Sequence, residues 1–363
     1  MIESGDYGTT IRVKHPLEQY AYDYPESAIG KTPAEPRDHA RLFVYDTATD
    51  TITFDYFYNL AAHVPDRAVM VMNDTGVIPA RVGLRKDTGK VLDSLVLMNE
   101  GFDADGAIPV ITNRQLFPGR RVAIGDEYWF TVARQDGQKF YLKPEFDARL
   151  IPELLERYGT TPTPYYLGKL GMDENQLRTR YQTVFAGEKK SVAAPTASLH
   201  FTDRVFETLD ARGVVRATVT LDVGLGTFQE IAPENVAGKY LHQEQYRVSD
   251  ADRKMIADAK SHGRPIVAVG TTVVRTLESA AGQILHGTGP ISDATTKFIM
   301  PPYAFALVDA LVTNFHVPKS SLMALVDAFL QHRGAKRGII ELYRVAIENG
   351  FRLFSFGDAM LIK

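Results

Sequence analysis

The chain has 363 residues, of which 45% are hydrophobic and 23% are charged, and its formal net charge is −3. This length predicts one large domain or two smaller ones, and the composition is typical of a globular protein with a full core. The sequence contains no cysteine, which excludes disulfides, a thiolate metal site and a cysteine nucleophile. Because the charge is near zero, any RNA contact requires a local basic patch rather than a strongly basic domain.

The sequence also indicates where the protein resides. No apolar run approaches the roughly 18 residues of a transmembrane helix. Residues 1–15 lack the apolar core of a secretory signal. We therefore expect a cytoplasmic protein with no membrane partner. The oligomeric state is not fixed by the sequence, and a monomer is the simpler expectation.

The first half of the chain predicts β structure. A strand pair is expected at Leu42–Asp46 and Thr51–Phe57, and a short buried strand at Ala68–Met72. Further short strands follow between turn signals, and they are Ala80–Leu84, Lys90–Leu97, Ile108–Thr112, Glu127–Ala133 and Lys139–Leu142. Close spacing without helical periodicity predicts a small barrel or sandwich inserted into a larger domain.

Helical periodicity begins at Pro152, and strands then alternate with helices. The expected strands are Val214–Asp222, Pro265–Gly270, Ala306–Val312 and Arg352–Phe356. The expected helices are Ser249–His262, Thr271–Ala281, Ser320–Gln331 and Lys336–Glu348. We expect Gly287–Thr296 to be a surface loop. This alternation predicts an α/β domain with a largely parallel sheet covered by helices.

Polar segments border the expected strands of this sheet. They are Asn73–Thr75, Ala193–Thr202, Asp222–Phe228, Gly270–Ser279 and Thr313–Ser321. Because ligands bind at the carboxyl ends of strands in α/β sheets, we expect these segments to form the functional site. Common nucleotide motifs do not explain them: the chain has no P-loop, and Gly224-Leu225-Gly226 supplies only part of a dinucleotide fingerprint.

Structural interpretations compete with these functional ones. Asp74 could close an Asx-turn, and His316 could be a hydrogen-bonded core histidine. Arg275 and Glu278, three residues apart on a helix, could form a surface ion pair. The basic clusters Lys189-Lys190 and 333–337 could be solvated faces or phosphate contacts.

A metal site is a further alternative. Imidazole and carboxylate suit zinc or iron, and the candidate ligands are His200, Asp222, His242 and His316. Their separations lack a compact ligand spacing, so no metal is expected.

These segments together resemble the S-adenosylmethionine:tRNA ribosyltransferase-isomerase family of queuosine biosynthesis. The matching stretches are Glu35–Asp38, Asn73–Thr75, Val77–Arg81, Arg180–Phe185, Ala193–Ala197, Leu199–Thr202, Val223–Phe228, Val269–Glu278, Val308–Leu311, Thr313–His316, Pro318–Ser320 and Phe356–Ile362. They occur in order over nearly the whole chain, which argues strongly against chance.

The resemblance implies a large α/β domain, barrel-like and mostly parallel, at residues 1–76 and 151–363. It implies an inserted antiparallel β-barrel at residues 77–150. The implied reaction transfers and isomerises the ribosyl unit of S-adenosylmethionine onto the 7-aminomethyl-7-deazaguanine wobble base in the tRNA anticodon loop. The products are epoxyqueuosine, adenine and methionine. S-adenosylmethionine is then a consumed substrate, and no separate cofactor is expected.

That chemistry requires groups that move protons and groups that fix the substrate. His200 and His316 are candidates for proton transfer, and Asp74 and Asp222 are candidate partners for the amine or the ribose hydroxyls. The candidates for substrate binding are Thr196, Gly224, Gly226, Thr227, Thr271, Thr272, Arg275, Glu278, Asp309, Asn314 and Lys319.

Four positions depart from the family pattern. Gly76 stands where an Arg is usual, Ser198 where a Gly is usual, and Asp222 and Lys239 each where a His is usual. An Asp does not supply the donor of an imidazole, and loss of an Arg removes a bidentate anion contact. We favour an ordinary tRNA enzyme with compensating residues over a paralogue with another acceptor or a catalytically silent relative.

Overall fold

The computed structural model describes residues 16–168, 171–224, 226 and 233–363. The strands are β1 (Arg41–Asp46), β2 (Thr51–Tyr56), β3 (Val69–Asn73), β4 (Gly76–Val77), β5 (Arg81–Lys86), β6 (Val91–Val96), β7 (Ile108–Thr112), β8 (Arg121–Ile124), β9 (Tyr128–Asp136), β10 (Lys139–Pro144), β11 (Lys189–Ser191), β12 (Val215–Leu221), β13 (Tyr240–Val248), β14 (Ile266–Val269), β15 (Ile291–Lys297), β16 (Ala310–Asn314) and β17 (Ala359–Ile362). The helices are α1 (Leu60–His63), α2 (Ile151–Tyr158), α3 (Glu174–Arg180), α4 (Asp203–Ala211), α5 (Pro233–Gly238), α6 (Asp250–Ser261), α7 (Thr271–His286), α8 (Ser321–His332) and α9 (Ile339–Glu348). No helix within these ranges is long and apolar enough to cross a membrane.

A nine-stranded mixed sheet forms the large domain, in the order β15-β13-β12-β3-β14-β16-β17-β1-β2. The neighbours β12, β3, β14 and β16 run parallel to one another. β17 and β1 are also parallel, and the remaining four pairings are antiparallel. The predicted α/β class is confirmed. The large sheet is open and mixed rather than mostly parallel, since four of its eight pairings are parallel.

The sheet differs from the prediction where its strands lack an apolar pattern. β15 lies in the segment expected to be a loop, and its buried positions include only Ile291 and Thr295. Strand alternation is therefore not visible in its sequence. The last strand is Ala359–Ile362 rather than Arg352–Phe356, and β13 was not predicted at all.

The central strands are covered by helices on both faces. Successive residues of β3 point to opposite sides, as the period of a strand requires. Val69 and Val71 pack into the core that includes α6 to α9, whereas Met70 and Met72 pack into the core that includes α1 and α4. All five residues of β3 are buried, which explains the unbroken apolar run Val69–Met72 that precedes Asn73.

The second part of the fold is a closed antiparallel barrel with the strand order β10-β7-β6-β5-β8-β9. An inserted barrel is thereby confirmed, with β8 added to the predicted strands. The apolar face of α2, with Ile151, Leu154 and Leu155, packs into the core of this barrel. The division of domains at residues 77 and 150 stays a prediction.

A close backbone contact joins the end of α2 to the start of the barrel. A Cβ atom at Gly159 would lie 1.9 Å from the carbonyl oxygen of Pro79 and 2.5 Å from that of Leu155. We expect Gly159→Ala to lower the free energy of unfolding by about 1–3 kcal/mol, measured by urea unfolding. Gly282→Ala is the control, because a Cβ there meets open space within α7. The control should stabilise by up to about 1 kcal/mol. Equal changes in the free energy of unfolding for the two variants would contradict the close contact at Gly159.

Candidate active site

Asn73, the last residue of β3, organises the edge where β3, β12, β14 and β16 end. It is fully buried. Its amide nitrogen donates to the Leu221 carbonyl at 3.1 Å and to the Thr272 hydroxyl at 3.3 Å. Its amide oxygen accepts from the N–H of Leu221 at 3.0 Å and of Thr75 at 3.2 Å. The Asx-turn that the sequence suggested for Asp74 is therefore formed by the Asn73 side chain instead.

Two carboxylates lie next to Asn73 in different environments. Asp74 is half-buried and accepts a hydrogen bond of 2.6 Å from the Thr220 hydroxyl. Burial raises the pKa of Asp74, and the bond from Thr220 opposes this shift only in part. Asp222 is almost fully buried and is held by the Thr75 hydroxyl at 3.0 Å and by Arg247 Nη1 at 3.1 Å. Asp222 is thus committed to an ion pair, whereas Asp74 has the raised pKa of a candidate base.

The departures from the family pattern at Gly76 and Asp222 lie in this region. A Cβ at Gly76 would meet Lys189 Cγ at 3.0 Å and the Gly187 carbonyl oxygen at 3.1 Å. The cation beside Asp222 comes from Arg247 on β13. No sequence motif singled out Arg247, because its position beside Asp222 depends on the antiparallel pairing of β13 with the end of β12.

The other two departures are local. Ser198 is fully buried, and its hydroxyl has no hydrogen-bond partner. Lys239 is exposed just before β13, with a positive φ of 55°.

A second polar group surrounds Gly224. Its N–H donates to Glu244 Oε1 at 3.0 Å, and Glu244 pairs with Arg275. A Cβ at Gly224 would lie 2.6 Å from the amide nitrogen of Asn99, which belongs to the barrel. The absence of a side chain at this position therefore allows the barrel to reach the site. The alternative of a surface pair between Arg275 and Glu278 is wrong, since Arg275 is buried and pairs with Glu244.

Two buried polar atoms near Gly224 have no hydrogen-bond partner. They are Arg275 Nη2, a donor, and Asn99 Oδ1, an acceptor. Both residues are more than nine-tenths buried. An unsatisfied buried polar group costs about 1–3 kcal/mol. A bound molecule that carries both an anionic and a cationic group would satisfy this pair.

A third group lies over the ends of β14 and β16. The Thr196 hydroxyl donates to Asn314 Oδ1 at 2.8 Å. The Asn314 amide nitrogen lies 3.4 Å from His200 Nε2, and the His316 ring lies 2.9 Å from the Thr313 hydroxyl. The predicted residues Thr196, His200 and Asn314 are therefore brought together, whereas the His316 ring is bound to Thr313.

Burial makes both histidines neutral. It lowers the pKa of His200 to about 4 and the pKa of His316 to about 3. The His200 ring is held by Asn314 and by the backbone of Arg37, and it packs against Phe57. These contacts fit a structural histidine. His316 is partly exposed and is therefore the better candidate for contact with a substrate.

Helix α7 begins at this same edge. Gly270 precedes it with φ 92°, and no side chain caps the helix. Thr271 is buried at the first position, and the Thr272 hydroxyl is bound to Asn73. The first N–H groups of the helix are therefore not capped by a side chain, an arrangement that favours an anion or an acceptor atom.

Two predicted binding residues lie away from this edge. Asp309 precedes β16, at the opposite end of the strand, and its carboxylate is held by Lys260 Nζ at 3.0 Å. Glu278 accepts the backbone N–H groups of 306–308 and so fixes that loop. Both carboxylates have structural partners, and the geometry does not favour them as ligand contacts.

The remaining predicted residues are placed as follows. A Cβ at Gly226 would lie 3.9 Å from His242, and Thr227 falls outside the described residues. Lys319 is exposed and pairs with Glu18 at 2.9 Å. In the described part of the chain, no group of three or more His, Asp or Glu side chains is arranged to hold a metal ion.

Together, the fold and the site define a class of protein. It is an α/β enzyme whose polar cluster lies at the carboxyl ends of the central strands, with a small barrel contributing Asn99 to it. The chain belongs to the family described as queuosine biosynthesis protein, whose model matches residues 17–362.

Named relatives agree with this assignment and confirm the resemblance. A protein of Moorella thermoacetica is 39% identical over 95% of this chain and 99% of its own length. One of Fusobacterium nucleatum is 36% identical over 95% of this chain and 96% of its own length. Both are named S-adenosylmethionine:tRNA ribosyltransferase-isomerase. The crystal structure of an S-adenosylmethionine tRNA ribosyltransferase from Thermotoga maritima matches 95% of this chain and 100% of its own, with 30% identity and a TM-score of 0.54.

The ion pair of Asp222 and Arg247 predicts energetic coupling. We expect Asp222→Asn and Arg247→Met each to lower the free energy of unfolding, because each leaves a partner unpaired beside the buried end of β12. The double variant should lose less than the sum of the two, with a coupling of about 1–3 kcal/mol. The exposed pair of Glu26 and Lys31 is the control, with a coupling below about 1 kcal/mol. Additive losses at Asp222 and Arg247 would contradict the ion pair.

Proposed function

We propose that this chain transfers and isomerises the ribosyl unit of S-adenosylmethionine onto the 7-aminomethyl-7-deazaguanine wobble base of tRNA. The products are epoxyqueuosine, adenine and methionine. Membership of the family along residues 17–362, with full-length relatives named for this reaction, is the observation that carries the proposal. Arg247 supplies a cation beside Asp222, which supports an ordinary enzyme with compensating residues over a paralogue or a silent relative.

We assign the methionine end of S-adenosylmethionine to the group around Gly224. The free Arg275 Nη2 would bind the carboxylate, and Asn99 Oδ1 would accept from the ammonium group. Glu244 already neutralises the charge of Arg275. The methionine carboxylate would therefore be held mainly by a hydrogen bond from Arg275 Nη2. This arrangement explains why two buried polar atoms of opposite kind stay unpaired.

Asp74 is the proposed general base, and His316 is the proposed hydrogen-bond donor to the leaving adenine. The sulfonium makes the C5′ proton of the ribose acidic, and the raised pKa of Asp74 makes it a stronger base than an ordinary carboxylate. His316 is neutral at pH 7, since burial lowers its pKa to about 3. A neutral imidazole is suited to donate a hydrogen bond to the departing adenine. Thr196 and Asn314, which are joined by a hydrogen bond, would help to orient the substrate.

The remaining partners follow from the reaction. S-adenosylmethionine is consumed, so the proposal requires no separate cofactor. The tRNA anticodon loop must present its wobble base unstacked, as sequence-specific RNA recognition generally requires. A cytoplasmic location and a monomeric state are part of the proposal.

Adenine release tests the proposed function. The protein is incubated with S-adenosylmethionine and tRNA that carries the 7-aminomethyl-7-deazaguanine base. Adenine release that depends on this tRNA is the expected result. Release with small amines or other nucleosides, but not with the tRNA, would assign the chain to a paralogous activity. Binding of S-adenosylmethionine without turnover would indicate a silent relative.

His316→Ala should lower turnover by about 10²–10³-fold, because it removes a hydrogen-bond donor to the departing adenine. The far-ultraviolet circular dichroism spectrum should stay unchanged. His262→Ala is the matched control: this histidine is exposed at the end of α6, and its loss should leave turnover unchanged. Near-normal turnover of His316→Ala would remove that residue from the mechanism.

The hydrogen bond from the Thr220 hydroxyl to Asp74 should influence the pH dependence of kcat/KM. Its hydrogen bond stabilises the carboxylate and so lowers the pKa of Asp74. Thr220→Val should therefore raise this pKa and move the acidic limb of kcat/KM to higher pH. Thr218→Val is the control, because the Thr218 hydroxyl bonds to Asp252 instead. An acidic limb that stays in place in Thr220→Val would show that Asp74 is not the base.

A further inference from the structure

The two ends of the barrel differ in character. At one end, the 3-10 turn Met98–Glu100 brings Asn99 to Gly224 of the candidate active site. The antiparallel order places residues 86–91, 113–120 and 136–138 together at the other end, which we call the distal end. Strand β6 has six residues, and a strand of that length spans about 20 Å. The distal end therefore lies about 20 Å from Gly224 along the barrel.

The distal end exposes apolar and basic side chains together. Phe117 is 61% exposed and Val91 is 60% exposed, the largest exposures among the large hydrophobic side chains described. Arg114 and Arg120 flank Phe117 in its loop, and both are exposed. The neighbouring Arg121 forms an ion pair with Glu145, but neither Arg114 nor Arg120 forms an ion pair with any described residue.

The loop that carries Phe117 is fixed to the barrel. The Gly119 N–H donates to the Val132 carbonyl at 2.8 Å, and the Val132 N–H donates to the Arg120 carbonyl at 2.8 Å. Lys86 Nζ donates to the Gln115 carbonyl at 3.2 Å. An aromatic ring held outward by such bonds does not bury itself, and exposed apolar groups of this kind mark interaction sites.

The charges of the distal end favour a nucleic acid. Its ionisable residues are the cations Lys86, Lys90, Arg114 and Arg120 and the carboxylates Asp87 and Asp136. This is a local positive excess in a chain whose net charge is −3. Guanidinium groups bind phosphates bidentately, and exposed aromatic rings stack on bases.

We propose that the distal end of the barrel binds the tRNA substrate at a distance from the reacting base, with Arg114 and Arg120 on phosphates and Phe117 stacked against a base or a sugar. This inference rests on the proposed function. Because the contact lies about 20 Å from Gly224 along the barrel, it engages the RNA beyond the modified nucleotide. Other basic clusters fit this role less well, since Lys189 and Arg337 are paired with carboxylates.

The triple variant Phe117→Ala/Arg114→Ala/Arg120→Ala tests the inference. Its affinity for a fluorescent, unmodified anticodon stem-loop RNA is measured by anisotropy at several salt concentrations. We expect an affinity loss of at least tenfold and a less steep salt dependence, because two phosphate contacts are removed. In the adenine-release assay, the KM for tRNA should rise while turnover at saturating tRNA changes little.

Phe102→Ala is the matched control. Phe102 is 42% exposed on the same barrel, but it is followed by Asp105 and by Asp103, which is paired with Arg134, and no arginine flanks it in its loop. Its loss should leave RNA affinity unchanged. Unchanged affinity of the triple variant would overturn the inference, and so would a change in oligomeric state without a change in affinity. If the wild-type protein released no adenine with tRNA, the proposed function would fail, while the stem-loop affinities would still decide the role of the distal end.

Discussion

The buried amide of Asn73 is the contact on which the site depends. Its four hydrogen bonds join the end of β3 to the end of β12 and to the first turn of α7. An amide suits this place because it donates and accepts at once, so the backbone groups of Leu221 and Thr75 are satisfied without a charge. Asp74 comes directly after β3, and the loop at Gly224 comes directly after β12, so both begin at strand ends that this amide joins.

Charge balance separates the structural groups of the site from the reactive ones. Asp222 is paired with Arg247, and Glu244 is paired with Arg275, so most of the buried charge is neutralised within the protein. Asp74 is bound by a hydroxyl rather than a cation. Burial then shifts its pKa upward and that of His316 downward, which gives the site one stronger base and one neutral imidazole.

The sequence predicted those parts of the fold that rest on local patterns, such as the β1–β2 hairpin and most strands of the barrel. It missed β13 and β15, whose polar residues show no clear alternation. In the site, segments at strand ends identified Asp74 and Asn314. Arg247 and Asn99 were missed, because only the pairing of β13 with β12 and the contact of the barrel with Gly224 bring them to the cluster. The hydrogen bonds of Glu278 were not visible in the sequence for a similar reason, since its partners at 306–308 are distant along the chain.

The most direct test of the central claim is a crystal structure with S-adenosylmethionine bound in the absence of tRNA. The methionine carboxylate should lie about 3 Å from Arg275 Nη2, and the ribose should lie beside Asp74. An alternative location is a groove of about 540 Å³ lined in part by Phe185, Phe206 and Arg216. Ligand bound in that groove, with the group around Gly224 left unoccupied, would contradict the assignment of the active site.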